Sequence, residues 1–318
     1  MAMDFGTTQM NEMFIQALQD PGMKKEAADK AAEYLKLQIY ESGFMGRILP
    51  AQSISPMQCD RDPDSPNYQV VIDKEFIDVA AVTTSFRGRS NYDYVETERY
   101  AVKFFSIQTP EYSLTEEELR GMRQPIQTLI RHHIAYYIEK KMDEMFIGMC
   151  NAAVALSGLH IDLSAGSEYK LSTELVTRLR NLIDRQQPQY LKPATLLCTQ
   201  AQWNQIYTWL QQNTGAGAGT GVGMTGGYST DFWRDGYTYD KLNGLRVVIT
   251  RKNDIVLDNE VYLFTDPEYL GHHFTFNDDR FSIEHQHNVM RWKGFRTFGA
   301  AIGNVNAVAK LTLAAMPS

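Results

Sequence analysis

Cysteine is scarce in this 318-residue chain, which has only Cys59, Cys150 and Cys198. They are widely separated, odd in number and show no CxxC spacing. That argues against a disulfide framework or a zinc site and makes a reducing compartment the default. Long apolar runs are missing too, and no stretch approaches the ~18 residues of a membrane span. Positive charge is in deficit: 31 Lys+Arg against 38 Asp+Glu leave a formal net charge of -7. A dedicated nucleic-acid binder normally carries a basic excess, so the balance argues against that class. It leaves room for a protein that faces nucleic acid without gripping it. The amino end, Met1-Ala2-Met3-Asp4-Phe5-Gly6, has no basic n-region and no apolar h-region, so no secretory signal is expected.

Catalytic signatures are equally thin. The sequence holds no GxSxG, no HExxH and no GK[ST]. One GxGxxG match occurs, at Gly221, Gly223 and Gly226 within the glycine-rich run 213–227. A dinucleotide site needs a strand before that loop and a helix after it. Here a helical pattern precedes, and Tyr228-Ser229-Thr230-Asp231-Phe232-Trp233 follows without helical character. Among the seven histidines, His285 and His287 have the spacing to share one face of a strand and could bind a metal. No third ligand is identifiable, and strand-face or interface histidines are the simpler reading. No catalytic residue, cofactor or metal is therefore expected.

Apolar residues make up 43% of the chain and charged residues 22%, which are ordinary globular values. The length fits about two domains, or one core with large excursions. Residues 1–50 read as an arm. A short helix falls within Thr8 to Leu18, and a second from Lys24 to Glu41 carries a thin stripe of Ala28, Ala31, Leu35 and Ile39. Residues 53–66 form a Pro- and Asp-rich connector. Val70-Val71-Ile72 and Asp78 to Phe86 read as strands, a turn follows at 87–91, and a return strand runs from Tyr92 to about Ile107. The tip of this hairpin is charged, and two strands alone are marginal in water, so it needs a partner surface.

Thr115 and Glu118 stand at capping-box spacing and open a helix that Pro125 interrupts. From there to about Asn151 the apolar stripe is unbroken, which predicts a helix on the order of 40 Å long. Residues 160–272 read as an α/β lobe. Ser172 caps a helix closed by Pro188, Ala194 to Cys198 is a strand, Thr199 caps another helix, and Leu245 to Thr250 and Glu260 to Phe264 are strands. The tail from Phe281 to Leu313 is a run of strands, with a turn expected at Lys293-Gly294. From Arg280 to the end the chain is locally basic, with Arg280, Arg291, Lys293, Arg296 and Lys310 against only Glu284, whereas residues 1–66 are locally acidic. Opposite charge on distant segments fits contacts within or between subunits.

The order of elements, together with three stretches, carries a resemblance. These are Tyr100-Ala101-Val102-Lys103-Phe104-Phe105-Ser106-Ile107 leading to Leu114-Thr115-Glu116-Glu117-Glu118-Leu119, the strands Leu245 to Thr250 and Val261 to Phe264, and the end Gly299 to Lys310. The chain resembles the major capsid protein of tailed bacteriophages with the Hong Kong 97 fold. The resemblance implies an α+β fold with an N-terminal arm at 1–66 and an extended hairpin loop at 67–112. It further implies a peripheral domain with a long spine helix (113–158 plus 273–318) and an axial α/β domain at 159–272. It also implies self-assembly into hexamers and pentamers of an icosahedral shell around DNA, within a virion put together in the host cytoplasm. Implied partners are a separate scaffolding protein, a portal, a decoration protein and weakly touched DNA, with no membrane. Some members crosslink a hairpin Lys to a neighbour's Asn. Here no Lys lies between Val79 and Arg99, so no such crosslink is expected. Candidate inter-subunit contacts are Leu35, Ile39, Arg87, Arg89, Tyr92, Tyr94, Glu96, Arg99, Arg291 and Arg296. An encapsulin-type nanocompartment shell is the alternative within the fold. A nucleotide- or metal-using cytoplasmic enzyme on residues 160–272 is the alternative outside it, and a tail or baseplate protein is a further one.

Overall fold

The computed structural model describes residues 43–61, 67–74, 98–121, 126–166, 169–186, 190–205, 241–242, 244–276 and 280–314. Helix α1 (Met45–Ile48) is followed by strands β1 (Gln52–Ser53), β2 (Asp60–Arg61), β3 (Tyr68–Asp73), β4 (Arg99–Gln108) and β5 (Tyr112–Thr115), then by helices α2 (Glu116–Gly121) and α3 (Ile126–Ser157). Strand β6 (His160–Asp162) and helix α4 (Thr173–Asp184) lead to β7 (Pro193–Thr199), β8 (Lys241–Leu242), β9 (Leu245–Thr250) and β10 (Glu260–Thr265). Helix α5 (Pro267–Leu270) precedes β11 (Gly271–Thr275), β12 (Arg280–Gln286), β13 (Val289–Ile302) and β14 (Val308–Thr312). The helices expected in residues 8–41, the hairpin tip at 75–97 and the glycine-rich run 213–227 lie outside the described residues.

Two mixed sheets result. The first runs β1-β11-β13-β4-β3-β2, with β12 and β5 flanking the other half of β13. The second runs β6-β14-β10-β7-β9-β8. The tail's last strand, β14, thus belongs to the second sheet. The chain interleaves the two sheets rather than completing one before starting the other. Strand β7 lies between parallel β9 and antiparallel β10, and almost every residue of it is buried. That explains its continuous apolar run in place of alternation.

Helix α3 spans 32 residues, or about 48 Å at the usual rise. It is longer than its sequence pattern suggested because Ala152, Ala153, Ala155 and Leu156 are good helix formers. Gly158 ends it in the left-handed region (φ +71), with its N–H on the Val154 carbonyl at 2.9 Å. Its buried stripe of Ile134, Ile138, Met142, Phe146, Cys150 and Val154 joins the main core with Trp292, Phe298, Tyr262 and Phe264. Helix α4 adds Leu175, Val176, Leu179 and Ile183 to that core. A smaller second core of Val102, Phe104, Phe274 and Phe276 sits under the base of β3–β4, with Ile54, Val70 and Ile72 against it.

Local caps follow the sequence in most places. Ser172 Oγ accepts the Leu175 N–H at 3.3 Å. Thr115 Oγ1 accepts the Glu118 N–H while Glu118 Oε2 accepts the Thr115 N–H. Thr199 departs from expectation. Residues 200–205 are helical, but the Thr199 hydroxyl is buried and has no partner among the described residues. Gln202 Oε1 accepts the Thr199 N–H instead, at 3.2 Å. The connector also holds more than loop. Ser55 and Gln58 form a reciprocal box around the single turn Pro56–Gln58.

The expected turn at Lys293-Gly294 is absent, and β13 runs straight through it. The chain reverses at His287-Asn288, where His287 takes φ +59, an uncommon choice for a residue with a side chain. Glycine at 294 serves close approach rather than reversal, because a Cβ there would overlap Ile134 Cγ2 of α3.

Candidate functional site

The surfaces that could meet another copy begin at the base of the hairpin. Strands β3 and β4 pair from Gln69 opposite Lys103 to Asp73 opposite Arg99. Strand alternation sends Val70, Ile72, Val102 and Phe104 to the smaller core. There Phe104 stacks on Phe276 with ring centroids 4.4 Å apart. The opposite face is uncovered among the described residues. Val71 and Phe105 on it are 41% and 43% exposed, so apolar area stands in solvent beside Ala101 and Lys103. Met57, on its boxed turn, is 97% exposed. Two cross-strand ion pairs, Asp73–Arg99 at 2.7 Å and Lys74–Glu98 at 3.0 Å, close the ladder where the chain leaves toward residues 75–97. All four side chains are well exposed, so these pairs set register more than stability.

Of the candidate contacts named from sequence, Leu35, Ile39, Arg87, Arg89, Tyr92, Tyr94 and Glu96 lie outside the described residues. Arg99 is exposed and paired as above. Arg291 is half-buried on β13, opposite Glu284 of β12 and Ser113 of β5. Arg296 is half-buried and turned onto α3, where its guanidinium donates to Met142 Sδ at 3.6 Å. Within the subunit it therefore serves the helix–sheet junction.

The histidine pair is separated. His285 lies on β12 and its Nε2 meets Glu116 Oε1 at 2.7 Å, whereas His287 is in the turn. The two do not share a strand face as the alternation suggested. Among the described residues, no group of three or more His, Cys, Asp or Glu could hold a metal. No helix among them is long and apolar enough to cross a membrane. None of the cysteines is paired. Burial pushes the Cys198 thiol up to about 12 and Cys150 upward as well, which disfavours the nucleophilic thiolate at both.

A buried ionic cluster is the feature the sequence reading missed. Asp143 of α3 and Lys252, just after β9, form an ion pair at 2.6 Å with side chains 0% and 1% exposed. Asp143 Oδ1 also accepts the Met45 N–H at 2.9 Å, and Oδ2 accepts the Phe44 N–H at 3.4 Å. One turn earlier on the helix, Glu139 Oε2 accepts the Gly43 N–H at 2.5 Å. Burial pushes both carboxyls above the usual range. The Gly43 amide, Arg296 and Lys252 pull Glu139 partly back, and Lys252 with the two amides does so for Asp143. The available signal was an acid within an apolar stripe, since Asp143 stands between Met142 and Phe146. Its cation lies 109 positions away, where no local pattern marks it.

No protein-family model and no curated protein matches the sequence. Solved structures do match in fold. A chain of the cyanophage P-SCSP1u capsid aligns at TM-score 0.58 and 9% identity, covering 87% of this chain and 89% of that one. A chain of the bacteriophage PhiM1 mature capsid aligns at TM-score 0.56 and 10% identity, with the same coverage of 87% and 89%. A chain of the virus-like particle from Pyrococcus furiosus aligns at 0.54 and 12%, covering 90% of this chain and 98% of that one. At these identities the likeness speaks for architecture, and it spans nearly the whole length of each partner. The chain therefore has the mixed α/β fold of phage capsid subunits.

Proposed function

We propose that this chain is the major capsid subunit of a tailed phage, assembling as hexamers and pentamers into an icosahedral head around DNA. The carrying observation is the fold likeness to phage capsid chains over 87% of its length. The apolar face of β3–β4, uncovered among the described residues, supports it, because Val71 and Phe105 gain by burial against another copy. In this reading residues 1–66 are the arm, 67–112 the extended hairpin loop, 113–158 plus 273–318 the peripheral domain and 159–272 the axial domain. The long helix α3 is the spine of the peripheral domain. Strand β14 would tie that domain's tail into the axial sheet. The role is structural, with no catalytic residue. Scaffold, portal and decoration proteins and packaged DNA are the partners proposed, in a virion assembled in the host cytoplasm.

Electron microscopy of the expressed chain, alone and with its neighbouring genes, tests this. Closed shells are expected, and rings, tubes or monomers under every condition would refute it. Deleting residues 1–40 should leave a soluble subunit that no longer closes shells, so normal particles from that deletion would remove the arm from the mechanism. An encapsulin-type shell is the second and weaker reading, because the likenesses to phage capsid chains support a phage head. A protein cargo in place of DNA inside purified particles would select it.

A further inference from the structure

We propose that Glu139, Asp143 and Lys252 form an ionic anchor that fixes the position and direction of the chain at Gly43 to Leu49 on helix α3. Gly43 to Leu49 is the segment they hold. Its three leading amides end on the two carboxylates of α3. A Cβ on Gly43 would stand 3.3 Å from both Glu139 Oε2 and Asp143 Oδ1, so a residue without a side chain fits the grip. Farther along, the Leu49 carbonyl accepts from His273 Nδ1 of β11 at 3.1 Å, and the Arg47 carbonyl accepts from Arg246 of β9 at 3.3 Å. The segment is thus tied to the long helix and to both sheets within seven residues. Lys252 adds cation–π contacts to Phe44 at 5.9 Å and Tyr136 at 5.6 Å, so the cation touches both the anchored segment and the helix.

Burial of Phe44, Met45, Ile48 and Leu49 supplies the non-directional part of the hold. Such burial tolerates small slides and rotations, whereas an ion pair with matched amides does not. A buried pair adds little net stability over an apolar one, and its use here is to select one geometry. The anchor makes the position and direction of the chain at Gly43 a property of helix α3.

The test is hydrogen exchange on the full-length subunit carrying Asp143→Leu with Lys252→Met. The informative amides are Ile48 and Leu49, whose acceptors, the Phe44 and Met45 carbonyls, are untouched by the substitutions. Exchange there is expected to rise at least tenfold while amides of β10 keep their parental protection. Unchanged Ile48 and Leu49 would overturn the proposal, because apolar packing would then suffice. Equal loss across β10 would overturn it too, because the pair would then be part of the global core. If the double variant does not fold, Asp143→Asn, which keeps an acceptor and the volume, is read by the same two groups of amides. The readout needs no shell, so its failure and the failure of the capsid reading are distinguishable.

Discussion

Gly294→Ala is the most direct probe of how α3 meets the first sheet. The glycine sits mid-strand in β13, paired with Phe281 of β12. Its N–H donates to Thr109 Oγ1 at 3.0 Å, and its carbonyl accepts the Thr109 N–H at 2.9 Å. The added methyl would overlap Ile134 Cγ2 and touch Ile138 Cδ1 at 3.5 Å. Both isoleucines are buried, at 0% and 5% exposure, so neither can swing into solvent. Overpacking of this kind costs about 1–3 kcal/mol. Restricting the unfolded chain returns roughly 0.4–1 kcal/mol, which leaves a net loss of at most ~2.6 kcal/mol, centred near ~1–2 kcal/mol. With about 2.1 cal/mol/K of unfolding entropy per residue, a cooperative unit of this length should melt ~1–3 °C lower.

The sharper measurement is a double-mutant cycle. Ile134→Leu removes the offending branch at constant volume. In that background Gly294→Ala should cost at least about 1 kcal/mol less than in the parent, read from urea midpoints. Strict additivity, or a stable Gly294→Ala single variant, would refute the close-approach argument.

Phe104→Ala should act locally. Its ring belongs to the smaller core, so about 3–5 kcal/mol of packing is lost there. Exchange protection should fall along Tyr100 to Val102 while α4 stays protected, and a uniform loss would show that the two cores are one cooperative unit. Glu139 makes a pH prediction. Burial raises its folded pKa, so between the unfolded and folded values the folded chain binds more protons than the unfolded one. That contribution to stability is complete below the unfolded value and is lost as pH rises through the folded one. Relative to Glu139→Gln, the parent should therefore gain stability as pH falls from neutrality toward the unfolded carboxylate range in parallel melts, and a flat or opposite trend would refute the assignment. Asp143, Lys252 and Arg296 act on Glu139 by charge, so their coupling to it is part of the measured difference.

Local pattern determined those elements whose information is local. The stripe from Ile134 to Phe146 specified a long helix because each residue repeats the same face every three or four positions. The Thr115–Glu118 box and the Ser172 cap were legible because donor and acceptor lie three residues apart. Alternation in 281–285 marked a strand for the same reason. Tertiary structure decided the rest, because the deciding partner is distant. A glycine at 294 reads as a turn until the helix crossing above it is known. His285 and His287 read as a pair until the reversal at 287 parts them. Arg296 reads as one charge of a basic tail until its contact with Met142 of α3 is known. The Asp143–Lys252 pair joins positions 109 apart, and burial makes it consequential by removing the water that would otherwise screen it.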